Sequence, residues 1–100
     1  IILKKVGKNN YILKEYRISQ NYPNPFNPSI TIRFSLPRRE HVTLKVFDVL
    51  GREVTTLVDG ELSPGEHSVV FNGESLPSGV YFYRLRAGSF VEQRKMVLVK

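Results

Sequence analysis

Apolar and polar residues alternate along several short stretches of the chain, most clearly in residues 30–36, ITIRFSL. A period of two is typical of a β-strand with one buried face. No stretch has the period of an amphipathic helix. With turn signals roughly every 8 to 12 residues, the pattern predicts an all-β sandwich of about seven antiparallel strands, and a barrel of the same strands is the alternative. The predicted strands cover residues 17–21, 30–36, 42–47, 54–58, 67–72, 81–86 and 90–100.

Prolines separate the first predicted strand from the second. Pro23, Pro25 and Pro28 each fix φ and disfavour helix at the preceding residue, so we expect residues 21–28 to be extended or in turns. The same prolines limit the strand before them to an edge of its sheet. In the later turn DVLGR, Gly51 is expected at positive φ. Further turns are predicted at residues 59–60, 63–65, 72–73, 76–79 and 88–89.

The stretch LPSGVYFY, residues 76–83, has the spacing of a tyrosine corner. In that motif a Tyr near the start of a strand donates its hydroxyl to backbone a few residues upstream. Tyr81, two residues after Gly79, takes this role. Tyr83 then stands where antibody domains carry their second cysteine, which favours an immunoglobulin-like form of the sandwich.

The length of 100 residues fits one small domain with a single core. Residues 1–15 hold two short apolar runs around the turn-rich GKNN, a pattern compatible with a hairpin. We interpret them as a linker or the end of a preceding domain, and residues 16–100 as the domain itself. The sequence does not begin with a charged stretch followed by an apolar run, so we expect no signal peptide and a longer parent protein.

Composition disfavours several kinds of partner. The 15 Lys and Arg against 9 Asp and Glu give a net charge of +6, but the cations are scattered rather than clustered, so nucleic acid is not expected. The apolar runs are far shorter than the roughly 20 residues of a membrane-spanning helix, so no membrane insertion is expected. There is no cysteine, hence neither a disulfide nor a thiolate metal site.

The chemistry-bearing residues do not predict an active site. His41 and His67 are the two histidines, too few for a metal site, and we expect His67 to be a hydrogen-bonded structural residue near a strand end. The carboxylate pairs closest in sequence, Asp48 with Glu53 and Asp59 with Glu61, fall at predicted turns, where such groups usually bond to local backbone. Neither a nucleophile elbow nor a phosphate-binding glycine loop is present. We therefore predict no enzyme activity, no metal and no cofactor.

Aromatic residues offer a different hypothesis, since several on one exposed face could stack on sugar rings. Most aromatic residues in a domain of this size belong to its core, so carbohydrate binding, or a role as a spacer, is the alternative function. The candidates are Tyr11, Tyr16, Tyr22, Phe26, Phe47 and Phe82.

An ordered series of motifs carries a resemblance to a known family. NYPNPFNP is followed by a strand, then by VTLKVFDVLGREV, LPSGVYFYRL and finally RKMVLVK. From residue 21 onwards this series resembles the type A C-terminal sorting domain of the type IX secretion system. The flagellar hook-capping protein has a similar immunoglobulin-like module and is the nearest confusable family.

The resemblance implies a module that ends a secreted cargo protein and is recognised by outer-membrane secretion machinery. Such domains guide the N-terminal cargo through the periplasm to the exterior or the cell surface, and a sortase-like peptidase typically removes them. The motif positions carried over are Pro23, Asn24, Pro25, Phe26, Gly51, Gly79, Tyr81, Lys95 and Lys100.

The last predicted strand is where the resemblance makes a recognition role most plausible. An exposed edge strand could offer unpaired N–H and C=O groups to a partner, together with charged side chains. Alternatively, Arg94, Lys95 and Lys100 could be charges that protect an edge strand from aggregation. The sequence leaves both interpretations open.

Overall fold

The computed structural model describes residues 3–6, 10–13, 16–19 and 23–100, and for the first two ranges the backbone alone. Within these ranges the chain forms strands and no helix. It follows that no described helix could cross a membrane. The strands are β1 Leu3–Val6, β2 Asn10–Leu13, β3 Arg17–Ile18, β4 Ser29–Leu36, β5 Glu40–Asp48, β6 Glu53–Leu62, β7 Gly65–Asn72, β8 Gly79–Ala87 and β9 Phe90–Leu98.

The strands β3 to β9 form two antiparallel sheets. One has the order β3-β4-β7 and the other the order β6-β5-β8-β9. This confirms the predicted seven-stranded sandwich, consistent with an immunoglobulin-like fold, and not the barrel. β1 and β2 pair as the predicted hairpin, with Leu3 opposite Leu13. The boundary between residues 15 and 16 remains a prediction.

The core lies between the two sheets and is built from alternate residues, as the period of two predicts. The sheet of β4 contributes four buried residues from that strand, and the facing sheet contributes alternate residues of β5, β8 and β9. Tyr83 and Phe26 are the largest fully buried side chains among the described residues, and Ile18 of β3 is also in the core. The remaining core residues are Ile30, Ile32, Phe34, Leu36, Val42, Leu44, Val46, Phe71, Tyr81, Leu85, Ala87, Met96 and Leu98.

The turn predicted at residues 59–60 is wrong. β6 continues through Asp59 and Gly60 as far as Leu62, because its ladder with β5 continues to the pair formed by Glu40 and Leu62. A glycine in an edge strand loses little, since few neighbours would have packed on its side chain. The chain leaves β6 at Ser63 and Pro64 and crosses to the other sheet, as expected.

Two further details differ from the expected pattern. Ser35, predicted on the polar face of its strand, is 1% exposed, because β4 is the central strand of its sheet and Arg17 and Glu66 flank Ser35 on both sides. The first strand is shorter than predicted, ending at Ile18, although Ser19 N still donates to Arg33 O at 2.8 Å. It pairs with β4 alone and so lies at the expected edge.

The glycine turns behave as predicted. Gly51 has a φ of 83° and Gly88 a φ of 58°. Gly88 and Ser89 are the two residues between the paired Ala87 and Phe90, with the glycine at the first central position of a tight hairpin. A Cβ on Gly88 would meet a carboxylate oxygen of Glu40 at 2.6 Å, but that side chain can turn aside, so the positive φ is what selects glycine.

Candidate recognition surface

The motif residues separated by most of the sequence meet at one end of the sandwich. Gly79, at the start of β8, pairs with Leu98 near the end of β9. On the other side of β8, Tyr81 pairs with Asp48, the last residue of β5. Consequently the turn containing Gly51, the tyrosine corner and the end of β9 share this end of the four-stranded sheet.

Phe26 binds the backbone of the last strand and thereby joins the first motif to this end. Its N donates to Val97 O at 2.9 Å, and Val99 N donates to Phe26 O at 3.0 Å. Phe26 forms a parallel bridge with Leu98. Its ring is 1% exposed and meets Phe71 edge to face, with centroids 6.1 Å apart. Phe26 thus acts as a single-residue strand that fills the core.

The side chain of Asn24 extends this pairing, because its Oδ1 accepts a hydrogen bond from Val97 N at 3.0 Å. We call the bonds from Asn24 and Phe26 to Val97 and Val99 the clasp. Pro23, Asn24 and Pro25 are themselves exposed. The Asn24-Pro25 and Asn27-Pro28 peptides are cis.

The clasp covers part of the edge on which the sequence suggested partner pairing. Val97 and Val99 turn their backbone outwards, but Phe26 and Asn24 already bind those groups. The end of the last strand therefore does not offer a free backbone row. The expectation of an open edge at this point is wrong, because the proline segment returns to it.

The tyrosine corner is present as predicted. Tyr81 donates its hydroxyl to Pro77 O at 2.7 Å, and its ring is 5% exposed. Gly79 has a φ of 156°, at the limit of the region that favours glycine. The loop ahead of β8 is thereby held to the strand that follows it.

Lys100 binds this same loop. Its N donates to Ser78 Oγ at 3.1 Å, and its Nζ donates to Glu74 O. The loop is further tied to the proline segment, where Gly73 N donates to Pro28 O at 2.9 Å. Although exposed, the Lys100 side chain closes the loop between β7 and β8.

Lys95 and Arg94 lie on opposite faces of β9. Lys95 is exposed, whereas Arg94 turns inward and its Nη2 donates to Ile18 O at 3.4 Å. Beside it, Tyr83 donates to Ser19 O at 2.9 Å. Arg94 Nη2 also lies 3.4 Å from Glu92 Oε2. Arg94 is thus a link between the sheets rather than a purely protective edge charge.

Asp48 organises the turn around Gly51, whereas the sequence identified it only as a carboxylate at a predicted turn. Its Oδ1 accepts from Leu50 N and Arg52 N, each at 2.9 Å, and its Oδ2 accepts from Arg52 Nε at 2.8 Å. The Arg52 backbone N–H, followed by its side chain and Leu50 N, holds the pKa of the Asp48 carboxyl below its ordinary value. The signal for this role was the Asp at the first turn position.

The tip of that turn is apolar and exposed. Val49 is 67% and Leu50 is 73% accessible, the highest values among the large hydrophobic residues that the structure describes. The turn itself requires Asp48 and Gly51 but not an apolar pair at its tip. Exposed apolar residues on a fixed turn, at the same end as the clasp, add to the surface that a partner could contact.

The remaining candidate groups do not assemble into a catalytic site. His41 Nε2 lies 2.9 Å from Asp59 Oδ1 on the surface, and Glu61 lies 3.4 Å from Arg39. As predicted for a structural histidine, the His67 ring stacks on Phe34 and its Nε2 donates to Ser63 O at 2.8 Å. Within residues 16–19 and 23–100, no cluster of three or more acidic, histidine or cysteine side chains could hold a metal.

The candidate aromatics are divided among different places. Tyr16 stacks on Phe90 with centroids 5.2 Å apart, and Phe26 is in the core. Phe47 and Phe82 are cross-strand partners on the outer face of the four-stranded sheet. The side chains of Tyr11 and Tyr22 lie outside the described residues.

Comparison with known proteins gives one family. A family model described as the secretion system C-terminal sorting domain matches residues 20–100. No curated protein matches the chain. The matched range contains every motif residue of the clasp, the tyrosine corner and the last strand.

Proposed function

The chain belongs to the family of type IX secretion system C-terminal sorting domains, and we propose that it directs an N-terminally attached cargo protein through the outer membrane without catalytic activity of its own. The observation that carries the proposal is the match over residues 20–100. Membership in the family implies a secreted or cell-surface protein. Passage through the periplasm and removal by a sortase-like peptidase are parts of the proposal.

The arrangement of the motif residues supports a recognition role at one end of the sandwich. The clasp, the tyrosine corner and the turn of Gly51 come from four separate motifs, yet lie at the same end of one sheet. A compact surface of this kind can be recognised as a unit by a partner whose contacts span several loops. The partners in this proposal are components of the outer-membrane secretion and sortase-like machinery.

Within this surface the motif lysines have different proposed roles. Lys95 is exposed and is proposed to contact the machinery directly. Lys100 is proposed to act through the loop that it holds by Ser78 and Glu74. The residues Pro23, Asn24, Pro25, Phe26, Gly51, Gly79 and Tyr81 are proposed to shape the surface.

The test is export of a reporter fused to this chain in a cell with the type IX apparatus. We expect the fusion to reach the medium or the cell surface, and Lys95→Gln to lower export while leaving the thermal midpoint unchanged. Thr31→Gln, at a partly exposed position on the other sheet, is the matched control. Retention of the unsubstituted fusion inside the cell would contradict the proposed function. Normal export of Lys95→Gln would show that the machinery reads another part of the surface.

Carbohydrate binding is the second candidate function, favoured by the pairing of Phe47 with Phe82 on an outer face. Arg84 already covers the Phe47 ring, with its guanidinium carbon 4.5 Å from the ring centroid. That contact competes with a sugar for the same ring, so this candidate ranks second. Saturable retention on insoluble polysaccharide, lost in Phe82→Ala, would reverse the ranking.

A further inference from the structure

The second edge of the four-stranded sheet is β6, and the chain leaves its outer side uncovered. The opposite edge, β9, receives the clasp on Val97 and Val99. Among the described residues, none pairs with the outer side of β6. An edge strand presents unpaired N–H and C=O groups that can template a further strand.

The register shows which backbone groups of β6 turn outwards. Hydrogen-bonded pairs alternate along an antiparallel ladder. Asp48 N donates to Arg52 O, so the backbone N–H and C=O groups of Asp48 and of every second residue before it point towards β6. The backbone groups of Thr43 and Lys45 point towards β8. Their partners on β6 are Asp59 and Thr56. The N–H and C=O groups of Thr56 and Asp59 therefore face away from the sheet.

The middle of this edge lacks the charges that usually protect an edge strand. Residues 54–58, VTTLV, carry no charge and no proline. The carboxylates on either side are already engaged, with Glu53 Oε1 3.2 Å from Lys45 and Asp59 Oδ1 2.9 Å from His41. An uncharged strand can therefore approach the middle of β6 without stripping an unpaired charge of water.

Irregular pairing opens a groove with both apolar and polar lining residues beside this edge. The ladder between β5 and β6 shifts register twice, and Val54 and Leu57 are left without a partner on β5. Both line a groove between the edges of the two sheets, together with Phe71 and Leu76. Its polar lining residues are Thr55, Asn72 and Ser75. A strand added to β6 would run past this groove and could insert alternate side chains into it.

We propose that β6 binds an extended, uncharged segment of a partner protein, which adds to the sheet as a further strand. A row of alternating donors and acceptors is complementary to polypeptide backbone, and the groove gives a place for uncharged side chains, apolar or polar, on alternate positions. That the partner belongs to the secretion apparatus rests on the proposed function. The preference of β6 for an extended backbone is independent of the proposed function.

Matched proline substitutions test the proposal. Thr56→Pro removes one outward N–H from β6, and Val91→Pro removes one from β9, since Val91 stands in the same outward series as Val97 and Val99. As fusions of the full chain to an exported reporter, Thr56→Pro should lower export at least about tenfold, and Val91→Pro should not. Equal export of the two folded variants would overturn the proposal.

A second pair of substitutions covers the case in which Thr56→Pro does not fold. Thr56→Glu places a carboxylate opposite Lys45, and Val91→Glu places one opposite Arg86, so each charge gains a basic neighbour. The Thr56 site also holds Glu53, whose Oε2 accepts from Thr56 Oγ1 at 3.3 Å, so Thr56→Asn, which keeps a donor there and adds no charge, is the control for loss of that bond. We expect loss of export for Thr56→Glu alone. Export of Thr56→Glu at the level of Val91→Glu would overturn the proposal.

A binding measurement separates this proposal from the proposed function. The probe is a set of short overlapping peptides that span the outer-membrane proteins of the type IX apparatus, tested against the full chain. At least one peptide should bind, should lose about tenfold or more in affinity towards Thr56→Glu, and should fail to bind when its alternate amides are N-methylated. Peptide binding without export of the unsubstituted fusion would contradict the proposed function alone. Pairing of β6 with a second copy, seen as a dimer that Thr56→Glu dissolves, would overturn the choice of partner.

Discussion

The two edges of the four-stranded sheet differ in how the chain treats them. β9 carries three charged side chains in its middle, Glu92, Arg94 and Lys95, and its end is covered by the clasp from Asn24 and Phe26. β6 has an uncharged centre, two register shifts and no described strand on its outer side. The difference shows that the last strand in the sequence is not necessarily the edge available to a partner. A distant segment can cover that strand and leave another edge open.

The strongest way to break this comparison is to remove the side chain that anchors the clasp. Phe26 is buried, so Phe26→Ala should lower the free energy of unfolding by about 3 to 5 kcal/mol through lost burial and a cavity. Urea denaturation measures it. The control is Phe47→Ala, on the outer face, which should cost clearly less. A midpoint unchanged by Phe26→Ala would mean that the clasp does not close β9 in solution.

The tyrosine corner holds the loop behind the clasp with a single hydroxyl. Tyr81→Phe keeps the ring and leaves Pro77 O without its donor, so we expect a loss of about 1 kcal/mol. Thermal unfolding checks it, and amide hydrogen exchange should rise around residues 73–79 rather than along β6. Faster exchange at β6 instead would show that the two edges are coupled.

Acid should act on the turn that leads into β6. Because the folded pKa of Asp48 is lowered, its contribution to stability is complete above the unfolded pKa, about 3.9, and is lost as pH falls through the folded pKa. The effect should be smaller than the loss in Tyr81→Phe, because the Arg52 side chain that pairs with the carboxylate is exposed and solvent screens the pair. The free energy of unfolding, measured from neutral pH down to about 2, should fall more steeply for the native chain than for Asp48→Asn. Identical slopes would contradict this role.

The smallest expected effect is the change in stability caused by a single new charge on either edge strand. Thr56→Glu and Val91→Glu both lie at exposed positions, so each should change the free energy of unfolding by no more than about 0.5 kcal/mol. Equal thermal midpoints would sharpen the comparison, because any difference in export could then be assigned to recognition. A large loss in Thr56→Glu would show that β6 is already covered in the folded chain.

The sequence predicted the strands well wherever one face is buried. In β4, β5 and β8 the alternation of apolar residues matches the burial, because a one-residue slip would place every core side chain in water. The tyrosine corner was also predictable, since its donor and acceptor are four residues apart. Local chemistry was sufficient in these cases.

What could not be predicted depends on contacts between distant residues. The bond from Asn24 to Val97 joins residues 73 apart in sequence, and no local pattern marks it. The turn signal at Asp59 and Gly60 was overridden by the ladder with β5, which depends on residues about 18 positions earlier. Arg94 was open to interpretation as an edge charge because its inward direction follows from its pairing with Tyr83.

The clasp also sets an order of events during synthesis. Its partners are backbone groups of Val97 in the last strand and of Val99 just after it, so it can form only after those residues have left the ribosome. Until then Phe26 has no strand to bridge, and the ring that fills the core stays without its final position. A chain truncated a few residues before Val97 would therefore lack this closure, together with the buried side chains of Met96 and Leu98. Because of the clasp, the surface is complete only after the last strand of the domain has been synthesised.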